Sequence, residues 1–84
     1  MHVENELLAN LDKVHTTQGG IERMSRNMNL PKDEVVGWCK ERILRADSLI
    51  RKGKNWYVGH GDVMITVNAS SYTIITAHEK KTSV

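Results

Sequence analysis

The chain contains no phenylalanine, one cysteine and one proline among its 84 residues. The single cysteine, Cys39, excludes a disulfide framework within the chain, and sparse cysteine use is typical of the reducing interior of a cell. No apolar run approaches the ~20 residues that a membrane-spanning helix requires. The first residues, Met1–Glu6, lack the basic and apolar regions of a signal peptide. We therefore expect a cytoplasmic protein without a membrane partner.

The sequence also lacks a strong excess of one charge, since twelve Lys and Arg against ten Asp and Glu give a net charge of +2. This balance excludes an acidic nucleic-acid mimic and does not by itself indicate a nucleic-acid binder. The histidines and the cysteine do not have the spacing of a zinc knuckle or a metalloprotease helix. A glycine-rich phosphate loop, a nucleophile elbow and a close carboxylate pair are absent as well. We expect no metal site and no cofactor.

The first half of the chain is patterned for helices. Eighty-four residues provide one hydrophobic core, so residues 1–84 are expected to form a single domain. Apolar residues recur at helical spacing in three segments, and Pro31 suits the first turn of the third. The predicted helices cover about His2–Val14, then a segment capped by Thr16 or Thr17 that includes Ile21, Met24 and Met28, and finally Leu30 to Arg45 with Val35, Cys39 and Ile43 buried.

The second half is patterned for strands, because apolar and polar residues alternate there and short turn signals separate the runs. Glu79–Val84 is expected to be a frayed tail. The predicted fold is α+β, with three N-terminal helices followed by a three- or four-stranded antiparallel β-meander. The expected strand segments are Leu49–Lys52, Asn55–Val58 after a turn at Gly53-Lys54, Val63–Asn68 after a turn at 59–62, and Tyr72–His78.

Two histidines stand at the ends of predicted elements. His15 ends the first predicted helix and Arg23 follows two turns later, while His78 closes the last strand. An imidazole can exchange a proton with a ribose hydroxyl while a guanidinium holds the phosphate, and a second imidazole completes the acid–base pair. The alternative is structural: His15 bonds a helix carbonyl, Arg23 is a solvated face residue, and His78 is the polar end of a strand.

A local excess of cations precedes two aromatic residues. Cations interleaved with aromatic rings suit phosphate contact and base stacking. The alternative is a hairpin whose charged tip keeps it soluble while Trp56 fills the core. This candidate binding surface, for a nucleic acid or a protein partner, consists of Arg42, Arg45, Arg51, Lys52, Lys54, Trp56 and Tyr57.

Over nearly its whole length the chain resembles a family of small bacterial and phage-borne proteins known only as a domain of unknown function. That resemblance implies no activity. It is carried by Asn10–Thr17, Gly20–Arg23, Val35-Val36 with Trp38–Lys40, Gly53–Val58, Ile65–Asn68 and Ser71–His78.

The predicted order of elements, helices followed by a meander whose last strand contains Thr73–Ala77, also resembles that of the barnase, colicin and RelE-like nucleases. Those enzymes cut RNA without a metal, with one catalytic residue on an N-terminal helix and others on the sheet. By position, the resemblance implies His15 as the helical group and Tyr72, Thr76 and His78 as the sheet groups. Residues 17–43 also resemble a helix-turn-helix, but the third helix begins with acidic and apolar residues rather than with side chains that read base edges.

Three functional hypotheses follow. The first is a metal-independent endoribonuclease or toxin-like protein, in which His15 and His78 exchange protons, Arg23 and Lys54 hold the phosphate, and Tyr72 and Thr76 orient it. The second is a non-catalytic phage or mobile-element inhibitor or adaptor, which binds a protein of the host nucleic-acid machinery such as a defence nuclease. The third is a non-enzymatic nucleic-acid-binding module. Imidazoles more than about 10 Å apart could not share one scissile phosphate, so the separation of His15 and His78 discriminates among the hypotheses.

Overall fold

The computed structural model of the chain describes residues 5–79. It confirms the mixed helix-and-sheet class, with three short α-helices and a four-stranded antiparallel sheet. The predicted helix start at His2 and the tail residues 80–84 lie outside the described residues. The elements are α1 Glu6–Ala9, a 3-10 turn Leu11–Lys13, α2 Gln18–Met28, a 3-10 turn Lys32–Glu34, α3 Val35–Leu44, and the strands β1 Ser48–Lys52, β2 Asn55–His60, β3 Val63–Asn68 and β4 Ile74–Glu79.

The prediction of one continuous helix to Val14 is wrong. The α1 helix ends at Ala9, a separate 3-10 turn follows, and Val14 already has extended backbone angles. Asn10 interrupts the helix, because its side-chain amide donates to the Glu6 carbonyl at 2.8 Å and its own backbone leaves the helical region. Asparagine competes in this way with the helical hydrogen bonds of the main chain.

The predicted cap of α2 and the predicted buried stripe of α3 are confirmed, but α3 begins at Val35 rather than at Leu30, after a separate 3-10 turn at Lys32–Glu34. Thr17 caps α2, since its hydroxyl oxygen accepts from the Gly20 amide at 3.0 Å. Asn29 ends α2 in the left-handed region, with φ of 55°. The α3 helix lies in the middle of the chain and buries Val35, Cys39 and Ile43.

The strands form a meander in the order β1-β2-β3-β4, with every neighbouring pair antiparallel. Gly53 and Gly61 have φ of 62° and 58° and occupy the first position of the two-residue turns after β1 and β2. Glycine is favoured there because a left-handed backbone angle is needed. Four strand boundaries differ from the prediction. The first strand begins at Ser48 rather than Leu49, and β2 extends through His60. The last strand begins at Ile74 rather than Tyr72 and includes Glu79, which pairs with Val63.

All three helices pack against the same face of the sheet. The inward-facing residues of β2, β3 and β4 are the core, and Val58, Ile65 and Val67 are fully buried. Because successive side chains of a strand point to opposite faces, their neighbours Tyr57, Met64 and Thr66 point away from the helices. No helix within residues 5–79 covers that second face. None of the described helices has the length and apolar character to cross a membrane.

Candidate nucleic-acid interface

The uncovered side of the sheet, here called the open face, presents residues of all four strands. The strand register sets Ile50, Tyr57, Thr66 and Thr76 side by side in a row across the middle of the sheet. A second row, toward the start of β1, contains Met64 beside His78. A third row runs from Lys52 through Asn55 to Asn68. The open face is defined by Ile50, Lys52, Asn55, Tyr57, Met64, Thr66, Asn68, Thr76 and His78. Thr66 is only 9% exposed, so the surface that meets solvent comes from the other eight residues.

Apolar and aromatic side chains form a shallow groove on the open face. The groove has a volume of about 510 Å³ and is lined by Ile50, Lys52, Tyr57 and Met64. Ile50 is 57% exposed, which is high for an apolar side chain in a strand. The Asn55 amide lies 3.5 Å from the Tyr57 hydroxyl, so the Tyr57 side chain has a polar neighbour at its tip. The groove thus offers an aromatic ring and aliphatic surface to solvent.

The formal charge on the open face has one sign, because Lys52 is the one Lys, Arg, Asp or Glu among its residues. Lys54 is exposed in the turn beside Lys52. None of the residues that define the open face is a carboxylate. The surface is therefore complementary to an anion, although the chain as a whole carries a net charge of only +2.

His15 lies beside the start of β4 rather than at the end of a helix. Its backbone bonds to Tyr72 and Ile74 and forms a parallel bridge with Thr73. Nδ1 lies 2.8 Å from the Lys13 carbonyl oxygen, so Nδ1 carries the proton and donates. Nε2 lies 3.2 Å from the Thr73 hydroxyl. Both ring nitrogens therefore have protein partners, as the structural alternative for His15 expected.

The two predicted proton carriers lie at opposite ends of β4. His78 pairs with Met64, whereas the Thr73 carbonyl that neighbours His15 accepts from the Asn68 amide. Four residues of β3 separate Met64 from Asn68, which corresponds to roughly 13 Å along the strand. On the open face His78 lies beside Met64, one row from Thr76, and the fold does not bring it to His15.

The predicted basic surface is divided between two sides of the sheet. Arg51 points to the helical side, where it lies 3.9 Å from Glu6 and 5.9 Å from the ring centroid of Trp56. Lys52, the next residue, points to the open face. The alternation of strand side chains thus separates neighbours in sequence by the thickness of the sheet.

The remaining predicted arginines belong to the helical layer. Arg23 is exposed on α2, away from the open face. Arg42 stacks over Trp38, 4.5 Å from the ring centroid, and lies 3.5 Å from Glu41. Arg45 lies 3.8 Å from the same Glu41. These arginines do not converge with Lys52 and Lys54.

The aromatic residues Trp56 and Tyr72 do not lie on the open face. Trp56 is 8% exposed and belongs to the core, as the structural alternative expected. Tyr72 is partly buried against the core and has φ of 60°, an unfavourable backbone region for a large side chain. The Lys13 ammonium lies 6.0 Å from its ring centroid. Tyr72 therefore lies in the loop before β4, beside His15.

Cys39 is buried on α3 and is 1% exposed. Burial raises the pKa of its thiol to about 12, with a smaller opposing effect of the Arg42 charge. A thiol with so high a pKa is a poor nucleophile. Residues 5–79 contain no group of three His, Cys, Asp or Glu side chains that could hold a metal ion.

Residues 8–78 match a protein family described as Protein of unknown function (DUF3781). The chain belongs to this family. The predicted relation to a domain of unknown function is therefore confirmed. Neither a curated protein nor a solved structure shows significant similarity to the chain. The DUF3781 match covers α2, α3, all of β1–β3 and most of β4, and therefore includes every residue that defines the open face.

Five residues of the open face are not among the predicted site residues: Ile50, Asn55, Met64, Thr66 and Asn68. A signal for them exists, because Met64 and Thr66 alternate with Val63, Ile65 and Val67. The alternation identifies two faces but not which of them the helices cover. The charged residues and histidines of the prediction, by contrast, lie on both sides of the sheet, as Arg51 and Lys52 show.

Proposed function

We propose that the open face binds single-stranded RNA. The observation that carries the proposal is an uncovered sheet face with Tyr57 near its centre, cations at its margins and no carboxylate among its residues. An exposed aromatic ring on a sheet can stack a nucleotide base, and every base offers a face for stacking. Lysine side chains at the margin can neutralise the phosphates of the strand.

The size of the open face suits a short stretch of strand. Four strands at about 4.8 Å spacing and three rows of outward side chains at about 6.7 Å spacing give a platform of roughly 14 by 13 Å. Sheets of this width accommodate about two or three stacked bases. Thr76, Asn55 and the Tyr57 hydroxyl are polar groups on the platform that can bond a ribose 2′-hydroxyl, which favours RNA as the ligand.

The proposal is for binding rather than cleavage. A general acid and a general base must each come within about 3 Å of the reacting oxygens of one phosphate. The roughly 13 Å between the positions of His15 and His78 along the strand, and the two hydrogen bonds of the His15 ring, do not favour that pairing. Metal-independent cleavage of RNA stays a prediction, and the labelled RNA of the binding assay can also be used to test it.

The test measures binding of a fluorescently labelled ten-nucleotide RNA by anisotropy at low salt. Tyr57→Ala should weaken binding about 5- to 100-fold, since a stacked base contributes about 1–3 kcal/mol. Lys52→Glu should weaken binding, whereas Lys32→Glu makes the same change of charge on the helical side and should have a small effect. A DNA of the same sequence measures the contribution of the 2′-hydroxyls.

The salt dependence provides a second readout. For a single strand, the logarithm of the binding constant falls with the logarithm of the salt concentration by about 0.7 per neutralised phosphate. If Lys52 and Lys54 contact one phosphate each, the slope should be near about −1.4. Equal losses for Lys52→Glu and Lys32→Glu would show that only net charge matters and would contradict the assignment of the open face. Absence of RNA binding at about 50 mM salt would refute the proposal itself.

The cleavage prediction uses the same RNA with a chelator present. Intact RNA after incubation with the parent protein, together with Tyr57-dependent binding, would leave a binding protein. Cleavage that persists in the chelator and is lost in both His78→Ala and Thr76→Ala would assign the chemistry to the open face. Cleavage unaffected by either substitution would indicate a contaminating nuclease.

A further inference from the structure

A second surface with a different chemistry lies on the helical side of the molecule. A groove of about 390 Å³ is lined by Asp33, Glu34, Gly37, Trp38 and Glu41. Within α3, Glu41 follows Gly37 by four residues and Trp38 by three, so it lies on the same helix face as both of them in this α3 groove. Trp38 is half-buried, and part of its indole is left to form the floor of the groove.

Gly37 has no role in the fold that explains it. It lies in the interior of α3, where glycine is the least favourable residue apart from proline. A Cβ atom at this position would have no other atom within 4 Å, so the packing does not require glycine. Its φ is not in the left-handed region either. What the missing side chain does provide is open space directly beside Trp38, of the kind that lets another molecule approach the helix backbone.

The charges around the groove select the occupant. Asp33 and Glu34 form no ion pair with any residue between 5 and 79, so their carboxylates are free to take a cation. Glu41 is already paired with Arg42 and Arg45 of the chain itself. Arg42 also stacks over Trp38, which shows that this indole can accept a guanidinium. Tryptophan and arginine are also the side chains that most often dominate protein–protein contacts. This chemistry fits an arginine-bearing segment and opposes an anionic one.

We infer that the α3 groove binds a basic, arginine-containing peptide segment of a protein partner. The main chain of the segment lies over Gly37 and the exposed part of Trp38, and its guanidinium groups meet Asp33 and Glu34. The groove is on the opposite layer from the open face and does not depend on RNA binding. The two surfaces would allow the protein to connect a nucleic acid to a partner protein.

The test uses a labelled ten-residue peptide of alternating arginine and alanine as the probe, and a matched peptide of alternating glutamate and alanine. Gly37→Ala fills the space beside Trp38 and should weaken binding of the arginine peptide at least fivefold while raising the melting temperature. Gly19→Ala is the matched control, because Gly19 is another exposed helical glycine with open space around it. It should raise the melting temperature without changing peptide affinity. The double variant Asp33→Asn with Glu34→Gln should also weaken binding.

Several results would overturn the inference. Equal binding of both peptides, equal affinity of Gly37→Ala and the parent protein, or no binding of the arginine peptide up to about 1 mM each contradict it. Sedimentation of the protein alone gives a further outcome. A concentration-dependent oligomer that Gly37→Ala abolishes would identify a second copy of the chain as the occupant, and the basic partner segment would then be wrong.

Discussion

Two adjacent glycines near the start of α2 provide a stringent test of the packing. Gly19 is exposed, and a Cβ added there would meet no atom within 4 Å. Gly20 is buried, and a Cβ there would overlap the Thr16 hydroxyl and lie 3.3 Å from the Thr17 hydroxyl. That Thr16 hydroxyl donates to the Ile74 carbonyl at 3.0 Å and so attaches the segment before α2 to β4. The same substitution should therefore have opposite effects at the two positions.

The magnitudes follow from the contacts. Gly19→Ala should stabilise the fold by about 0.5–1 kcal/mol, because alanine loses less backbone entropy in a helix. Gly20→Ala has the same benefit but must displace the Thr16 side chain, which costs about 0.5–1.5 kcal/mol for the hydrogen bond and about 1–3 kcal/mol for overpacking. The net expectation is a destabilisation of about 1–3 kcal/mol. For a domain of this size, the two variants should differ in melting temperature by roughly 8–16 °C or more.

The assay is thermal and urea unfolding followed by circular dichroism. A double-mutant cycle isolates the proposed contact: in a Thr16→Ala background the overlap is gone, so Gly20→Ala should be nearly neutral or stabilising. A Gly20→Ala variant at least as stable as Gly19→Ala would refute the argument. So would a Gly20→Ala penalty that is unchanged when Thr16 is alanine, because the cause would then lie elsewhere.

Three further predictions concern stability. Ile65→Ala removes a fully buried side chain of β3 and should lower the free energy of unfolding in urea by about 2–5 kcal/mol. Ile75→Ala should lower it much less, because Ile75 is 42% exposed. Similar losses for the two variants would contradict the assigned faces of the sheet. Asn29 ends α2 with φ of 55°, which alanine adopts unfavourably and glycine adopts readily. Asn29→Ala should therefore lower the free energy of unfolding by about 1 kcal/mol, and Asn29→Gly should not. Equal losses for the two variants would argue against the left-handed helix end. Burial raises the Cys39 pKa from 9.0 to about 12, so the thiol stays protonated in the folded state while the unfolded chain ionises. This contribution to the free energy of unfolding is complete below pH 9 and is lost as the pH rises toward 12. Urea unfolding of the parent protein and of Cys39→Ala over this pH range measures the loss. Identical pH profiles of the two proteins would refute it.

Much of the fold was readable from local patterns. The cap at Thr17, the apolar stripe of α3 and the turn at Gly53-Lys54 each depend on residues close together in sequence, and all three are present in the structure. The end of α1 was missed because Asn10 fits a helical pattern by its neighbours while its side chain competes for a helix carbonyl. A local competition of this kind is not visible in hydrophobic periodicity.

The candidate site was less predictable than the fold. Cationic residues cluster in the sequence around the first hairpin, but Arg51 and Lys52 point to opposite sides of the sheet. Tyr57 and Thr76 are neighbours of the same middle row only because β3 lies between them with a fixed register. The distance along β4 likewise separates His15 from His78, although both stand near predicted element ends.

The sequence by itself determined the α+β class, the alternation of each strand and membership in the DUF3781 family. These properties depend on backbone propensity and on periods of two or about 3.6 residues, which short segments of the chain already contain. Only the tertiary structure decided which face of the sheet the helices bury and which face stays open. That choice depends on how all the apolar surfaces pack together at once, so no single segment of the chain records it.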